Sequence, residues 1–125
     1  MFKRMDHVAF TVKDREKSIK FYEENFGFKK YFEHDVPAPN IEKVVYLRLG
    51  DSVVELVHMP DGPVNTGYHF CLISDDFEGD YSRLKGAGVP VEREPHKTAP
   101  RSPEEEDWQR VVFKGPDGES IEFRG

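Results

Sequence analysis

Four residues in this chain have the types and the spacing to share one metal ion: His7, Glu55, His69 and Glu122. The first histidine opens the run Asp6-His7-Val8-Ala9-Phe10-Thr11-Val12, and something close to it returns as Tyr68-His69-Phe70-Cys71-Leu72-Ile73-Ser74. The glutamates close the two halves, in Val53-Val54-Glu55-Leu56-Val57 and in Ser120-Ile121-Glu122-Phe123. The histidine-to-glutamate separation is 48 positions (55 minus 7) in one half and 53 (122 minus 69) in the other, so the halves correspond apart from a small insertion. A lone strand histidine is ordinarily structural, and a lone strand glutamate ordinarily a solvated edge residue. Their return at matching places makes them ligand candidates. Neutral imidazole and carboxylate together suit Zn²⁺, Ni²⁺, Co²⁺ or Fe²⁺ and, less well, Mn²⁺ or Mg²⁺, leaving positions for water or substrate. Such an ion acts as a Lewis acid on two neighbouring substrate oxygens. A ligand carboxylate that can loosen from it serves as base, Glu122 first and Glu55 second.

The elements that must position these residues follow from periodicity. Residues 5–13 alternate as a strand, with Val8, Phe10 and Val12 on a core face and His7, Ala9 and Thr11 on the other. Asp14 is an N-cap for a helix over 15–26, whose stripe is Ile19, Tyr22 and Phe26, and Gly27 is its C′ residue. Residues 28–32 make a second strand, and 43–49 with 52–58 a hairpin turning at Gly50-Asp51. Glu55 stands between valines in an apolar strand, a costly place for a carboxylate unless a cation faces it. The Pro- and Gly-rich stretch 60–67 connects module one (1–59) to module two (68–125). The second module repeats the order: a strand at 68–74, a helix near 76–87 carrying Phe77, Tyr81 and Leu84, an extended segment from Val89, and a hairpin over 109–114 and 119–124. Residues 94–107, with three prolines and almost nothing apolar, read as an exposed loop, either a solvated connector or a flap over a pocket. The expected fold is α+β, βαβββ given twice. Either half alone would bury too little surface to be more than marginal, so the two should fold together.

Bulk properties narrow the function. A net charge of −6 without a basic stripe excludes the footprint of a nucleic-acid binder. No apolar run approaches the ~20 residues of a membrane span, and Met1-Phe2-Lys3-Arg4 does not begin a signal peptide, so the expected compartment is the cytoplasm. The single cysteine, Cys71, excludes an intrachain disulfide and reads as a buried, unreactive thiol. His34, His58 and His96 have no matching partners and read as surface residues. Motifs for zincins, phosphate loops and serine nucleophiles are absent from the sequence. Trp108, Tyr46, Phe113 and Tyr68 could supply stacking surfaces, and with them the chain would sequester a small aromatic molecule without chemistry.

Taken together, Asp6 to Val12, Ser18-Ile19-Lys20-Phe21-Tyr22 with Phe26-Gly27-Phe28, Val54-Glu55-Leu56, His69-Phe70 and Gly115-Pro116-Asp117-Gly118 followed by Ile121-Glu122 resemble the vicinal oxygen chelate superfamily. That superfamily includes glyoxalase I, acyl-CoA epimerases, thiol transferases, extradiol dioxygenases and bleomycin-binding proteins. The resemblance implies paired βαβββ modules forming a U-shaped mixed sheet around a concave metal site, a small-molecule substrate and a homodimer. A His/Glu/His/Glu set is similar to glyoxalase I, which implies a lyase or isomerase acting on a vicinal-oxygen substrate such as a 2-oxoaldehyde–thiol hemithioacetal. An acyl-CoA epimerase or a resistance-type binding protein is the alternative. The resemblance does not extend to the arginine and asparagine with which bacterial glyoxalase I holds glutathione. Thr11 and Met59 stand at those places, leaving the thiol carrier open.

Overall fold

The computed structural model describes residues 1 and 3–125, and Phe2 lies outside the described residues. The element order is β1 (Val8–Val12), α1 (Arg15–Phe26), β2 (Lys29–His34), β3 (Lys43–Leu49), β4 (Ser52–His58), β5 (His69–Ile73), α2 (Phe77–Gly86), β6 (Val91–Lys97), β7 (Gln109–Lys114) and β8 (Ser120–Arg124), with a short 3₁₀ helix at Pro103–Glu105. This is an α+β fold built from two βαβββ modules. The chain divides into two compact units, Met1–Asn65 and Thr66–Gly125. Each carries a four-stranded mixed sheet, in the orders β1-β4-β3-β2 and β5-β8-β7-β6. The first and last strands of each module pair in parallel, and the remaining pairings are antiparallel.

In the first unit the Asp14 carboxylate accepts from the Lys17 amide and starts α1, and Gly27 ends it at φ 75°, the left-handed region in which glycine carries no Cβ penalty. The helix buries Ser18, Ile19 and Tyr22, while Phe26 is only half-buried. The Tyr22 ring packs 5.9 Å from Phe10 and 5.8 Å from Phe28, above a sheet face of Val12, Val45, Leu47, Val54 and Leu56. Full burial of each such side chain contributes about 1.5–3 kcal/mol. The second unit repeats the plan. Asp76 caps α2 by accepting from the Gly79 amide, and Phe77 and Leu84 pack over Phe123, Phe113, Val111 and Ile121. Phe113 is fully buried and stacked on Phe123 at 5.9 Å. It belongs to the helix-side core rather than to a stacking surface, because β7 alternation turns Val111 and Phe113 inward together.

The stretch 94–107 departs from the expected loop. Its first part belongs to β6, where Pro95 is tolerated because β6 is the edge of its sheet and pairs only with β7. Its last part forms the 3₁₀ helix and buries Glu105, 6% exposed, against Arg101 and Arg124. The Arg101 amide donates to Glu105 at 2.9 Å and the Arg124 guanidinium at 3.2 Å. These contacts pull the Glu105 carboxyl down to about 2, the Arg101 hydrogen bond contributing most. No described helix is long and apolar enough to cross a membrane.

Candidate metal centre

Parallel pairing decides what meets on each sheet. In the first unit Ala9 stands opposite Glu55, so His7, two residues earlier on the same face, leans toward the same carboxylate. In the second unit Cys71 stands opposite Glu122, and His69 is again two residues earlier. The results are alike: His7 Nε2 lies 3.0 Å from Glu55 Oε2, and His69 Nε2 lies 3.3 Å from Glu122 Oε2.

Those separations fit a shared ion. Two donors on bonds of about 2.1 Å sit roughly 3.0 Å apart at a right angle and roughly 3.4 Å apart at the tetrahedral angle. Among the described residues, no group of three or more His, Cys, Asp or Glu side chains forms a ready-made cluster, and the candidates come as two pairs, one in each unit.

The surroundings of the pairs differ. Around the first, the Asp6 carboxylate accepts from His7 Nδ1 at 2.8 Å, which fixes the tautomer that presents Nε2 as the donor atom for a metal. The same bond lowers the Asp6 carboxyl below its usual range. Tyr46, opposite Glu55 on β3, hydrogen-bonds to that carboxylate, and this bond, reinforced by burial, pushes its hydroxyl up to about 12. The Tyr46 ring meets His7 edge-on at 5.8 Å and stacks on His34 at 6.0 Å.

Around the second pair, cross-strand register lays out rows on one face: Arg93, Val112, Glu122 and Cys71 in one, and His96, Arg110, Arg124 and Ile73 in the next. Glu122 is 5% exposed, with the Arg110 guanidinium 3.9 Å away. A cavity of about 430 Å³ opens here, walled by His69, Glu122, Arg93, Arg110, Glu92 and Tyr68 among others.

Three sequence expectations are corrected. Cys71 is exposed, because alternation places it on the His69 face rather than with Phe70 and Leu72. Desolvation and the Glu122 carboxylate nonetheless push its thiol up to about 12. His58 is half-buried, with Nδ1 shielded from solvent and lacking a hydrogen-bond partner. His96 is half-buried too and accepts from Arg110 Nε at 2.8 Å. Residues that sequence reasoning passed over include Asp6, Arg93 and Arg110. For Arg110 a signal existed, since its alternation with Val111, Val112 and Phe113 already placed it on the Glu122 side.

Comparison with known proteins agrees with the fold. The family model described as Glyoxalase/Bleomycin resistance protein/Dioxygenase superfamily matches residues 4–123. "Uncharacterized protein YwbC" of Bacillus subtilis (strain 168) is 29% identical over 132 residues, covering 98% of each chain. "Metallothiol transferase FosB" of Lysinibacillus sphaericus (strain C3-41) is 30% identical over 122 residues, covering 95% of this chain and 79% of that one. The V278E mutant of glyoxalase I from Zea mays superposes with a TM-score of 0.78 at 28% identity, over 97% of this chain and 44% of that one. The chain spans less than half the length of the plant lactoylglutathione lyases it also matches.

Proposed function

Because the chain belongs to the glyoxalase/bleomycin resistance protein/dioxygenase superfamily, we propose that it is a metal-dependent lyase or isomerase of the glyoxalase I type. Its reaction moves a proton between adjacent carbons of a vicinal-oxygen substrate such as a 2-oxoaldehyde–thiol hemithioacetal. The observation that carries this reading is the twofold His–Glu pairing, 3.0 Å in one unit and 3.3 Å in the other, at the same register offset. In this reading His7, Glu55, His69 and Glu122 together hold one divalent ion, Zn²⁺, Ni²⁺ or Co²⁺ first and Fe²⁺, Mn²⁺ or Mg²⁺ next, in a cytoplasmic homodimer. A bound ion supplies Lewis acidity for the negative charge that develops on the substrate oxygens.

The chain's own residues divide the remaining work. Glu55 is tethered by the Tyr46 hydroxyl and stays a ligand. Glu122 has the looser Arg110 contact at 3.9 Å and borders the cavity, so it is the carboxylate free to take the proton from one carbon and return it to the next. Asp6 orients His7.

The test has two parts. Elemental analysis of the purified protein should find a stoichiometric divalent ion. Methylglyoxal with a panel of thiols should then show proton exchange at the substrate carbon that Glu122→Gln abolishes while circular dichroism stays unchanged. Unaltered turnover in Glu122→Gln removes Glu122 from the mechanism. A second reading, thiol transfer to an electrophile, is favoured by the match to FosB over 79% of that protein, and its sign would be a thiol adduct formed without proton exchange.

A further inference from the structure

We propose that the cavity of the second unit selects a substrate bearing an anionic group, a carboxylate, phosphate or phosphonate, which Arg93 and Arg110 hold beside Glu122. This rests on the reading of His69 and Glu122 given above and names the class of molecule they act on.

The charges around the cavity do not cancel. Glu92 is already answered, since Ser120 Oγ donates to it at 2.8 Å and Lys114 Nζ lies 3.0 Å away. These two contacts hold its carboxyl below the usual range. Glu122 is directed at His69 Nε2. Two guanidinium groups remain on the cavity wall. Among the described residues the Arg93 side chain makes no hydrogen bond or ion pair, although it stands in the Glu122 row, one strand beyond Val112.

Arg110 is held by His96 and shares its charge with Glu122, 3.9 Å away. His96 Nδ1 lies 2.9 Å from the Glu94 carbonyl, which accepts its proton, so Nε2 carries the lone pair that accepts from Arg110 Nε. His96 is therefore a prop that aims the Arg110 fork. The Arg110–Glu122 ion pair at 3.9 Å is too long for a hydrogen bond, so the Arg110 donors are not taken up by Glu122, and a Glu122 engaged with an ion has even less to offer them. Two cations of fixed fork geometry on adjacent strands make a receptor for a planar or tetrahedral oxyanion. The anion so bound sits close to the atoms that Glu122 serves.

Calorimetry with dihydroxyacetone and dihydroxyacetone phosphate tests this, because the two probes offer the same vicinal oxygens and differ by one phosphate. On Zn²⁺-loaded protein the phosphate ester should bind at least about tenfold more tightly, the worth of one charge-assisted hydrogen-bonded contact. Arg93→Gln and Arg110→Gln should each remove about that factor for the ester, and Arg93→Gln should leave dihydroxyacetone unchanged. Arg110→Lys should recover only part, since an ammonium lacks the fork. Equal affinity for the two probes, or an Arg93→Gln variant that binds the ester as the parent does, overturns the proposal.

Two further arms separate its failure from that of the metal reading. Titration with Zn²⁺ alone should give the same affinity in Arg93→Gln as in the parent. Inorganic phosphate added to metal-free protein should shift the Nε resonances of Arg93 and Arg110, and unmoved resonances count against the receptor whatever the metal result. Mercaptosuccinate and 2-mercaptoethanol distinguish the source of the anion. Arginine-dependent tightening confined to mercaptosuccinate places it on the thiol, and tightening confined to the phosphate ester places it on the carbonyl substrate.

Discussion

Glu119 closes the turn between β7 and β8 with its carboxylate fully buried, and replacing it should change how stability varies with pH. One oxygen accepts from the Asp117 amide at 3.0 Å, and the other has no hydrogen-bond partner. The pocket that holds it exists because residue 115 is glycine: a Cβ there would lie 1.8 Å from Glu119 Oε1. Burial outweighs the backbone amides of Asp117 and Glu119 and pushes the carboxyl up from 4.5 to about 7. Between those values the folded protein keeps a proton that the unfolded chain has released, so stability is fully present below about pH 4.5 and falls as pH rises through 7. At 1.36 kcal/mol per pH unit the loss is on the order of 3 kcal/mol. Glu119→Gln keeps an acceptor for Asp117 and cannot ionise. Urea unfolding should find it close to the parent at pH 4.5 and more stable by on the order of 3 kcal/mol at pH 8, worth roughly ten degrees in Tm. Every other titrating group is common to both proteins, so the difference profile isolates this one. Parallel profiles for the two proteins from pH 4.5 to 8 would refute the reasoning.

Other outcomes follow from the same structure. Glu105 titrates with the opposite sign: its folded value of about 2 means that stability is present above 4.5 and lost as pH falls toward 2, so Glu105→Gln should be destabilised at pH 7 and converge on the parent near pH 2. Phe113→Ala should cost about 3–5 kcal/mol in chemical denaturation, because the ring is fully enclosed by Phe123 and its neighbours. His7→Ala and His69→Ala should each abolish uptake of the ion measured by elemental analysis. Asp6→Asn should weaken uptake by roughly 10–100-fold through loss of the partner that orients His7.

Local chemistry made much of the fold legible. Asp14 and Gly27 bound α1 at the residues expected, and Gly50-Asp51 and Gly115-Pro116-Asp117-Gly118 turn the two hairpins where their alternation breaks. The misreadings share a cause. For β6, charges and Pro95 outweighed everything else, yet an edge strand with one partner can carry both. For Cys71, the apolar company of Phe70 and Leu72 outweighed the alternation that sets it beside His69.

The candidate site was legible only to the extent that repetition reveals it. From histidine to helix start is eight residues in both units (15 minus 7, 77 minus 69), and from helix start to the next strand is 14 in both (29 minus 15, 91 minus 77). The five extra residues of the second half therefore fall beyond the start of β6, chiefly before β7, where residues 98–108 replace the shorter 35–42. An insertion there lengthens a connection without moving β8 against β5, because that register is fixed by burial of Ile121 and Phe123 on one face. Each glutamate thus keeps its place opposite the residue two beyond its histidine, although the sequence distance has changed from 48 to 53. What surrounds each pair depends instead on antiparallel register across β3, β7 and β6, including the bulges on both sides of Arg93. That register brings Tyr46 to Glu55 in one unit and two arginines to the Glu122 face in the other, so the first pair is braced and the second opens on a cavity with two arginines in its wall.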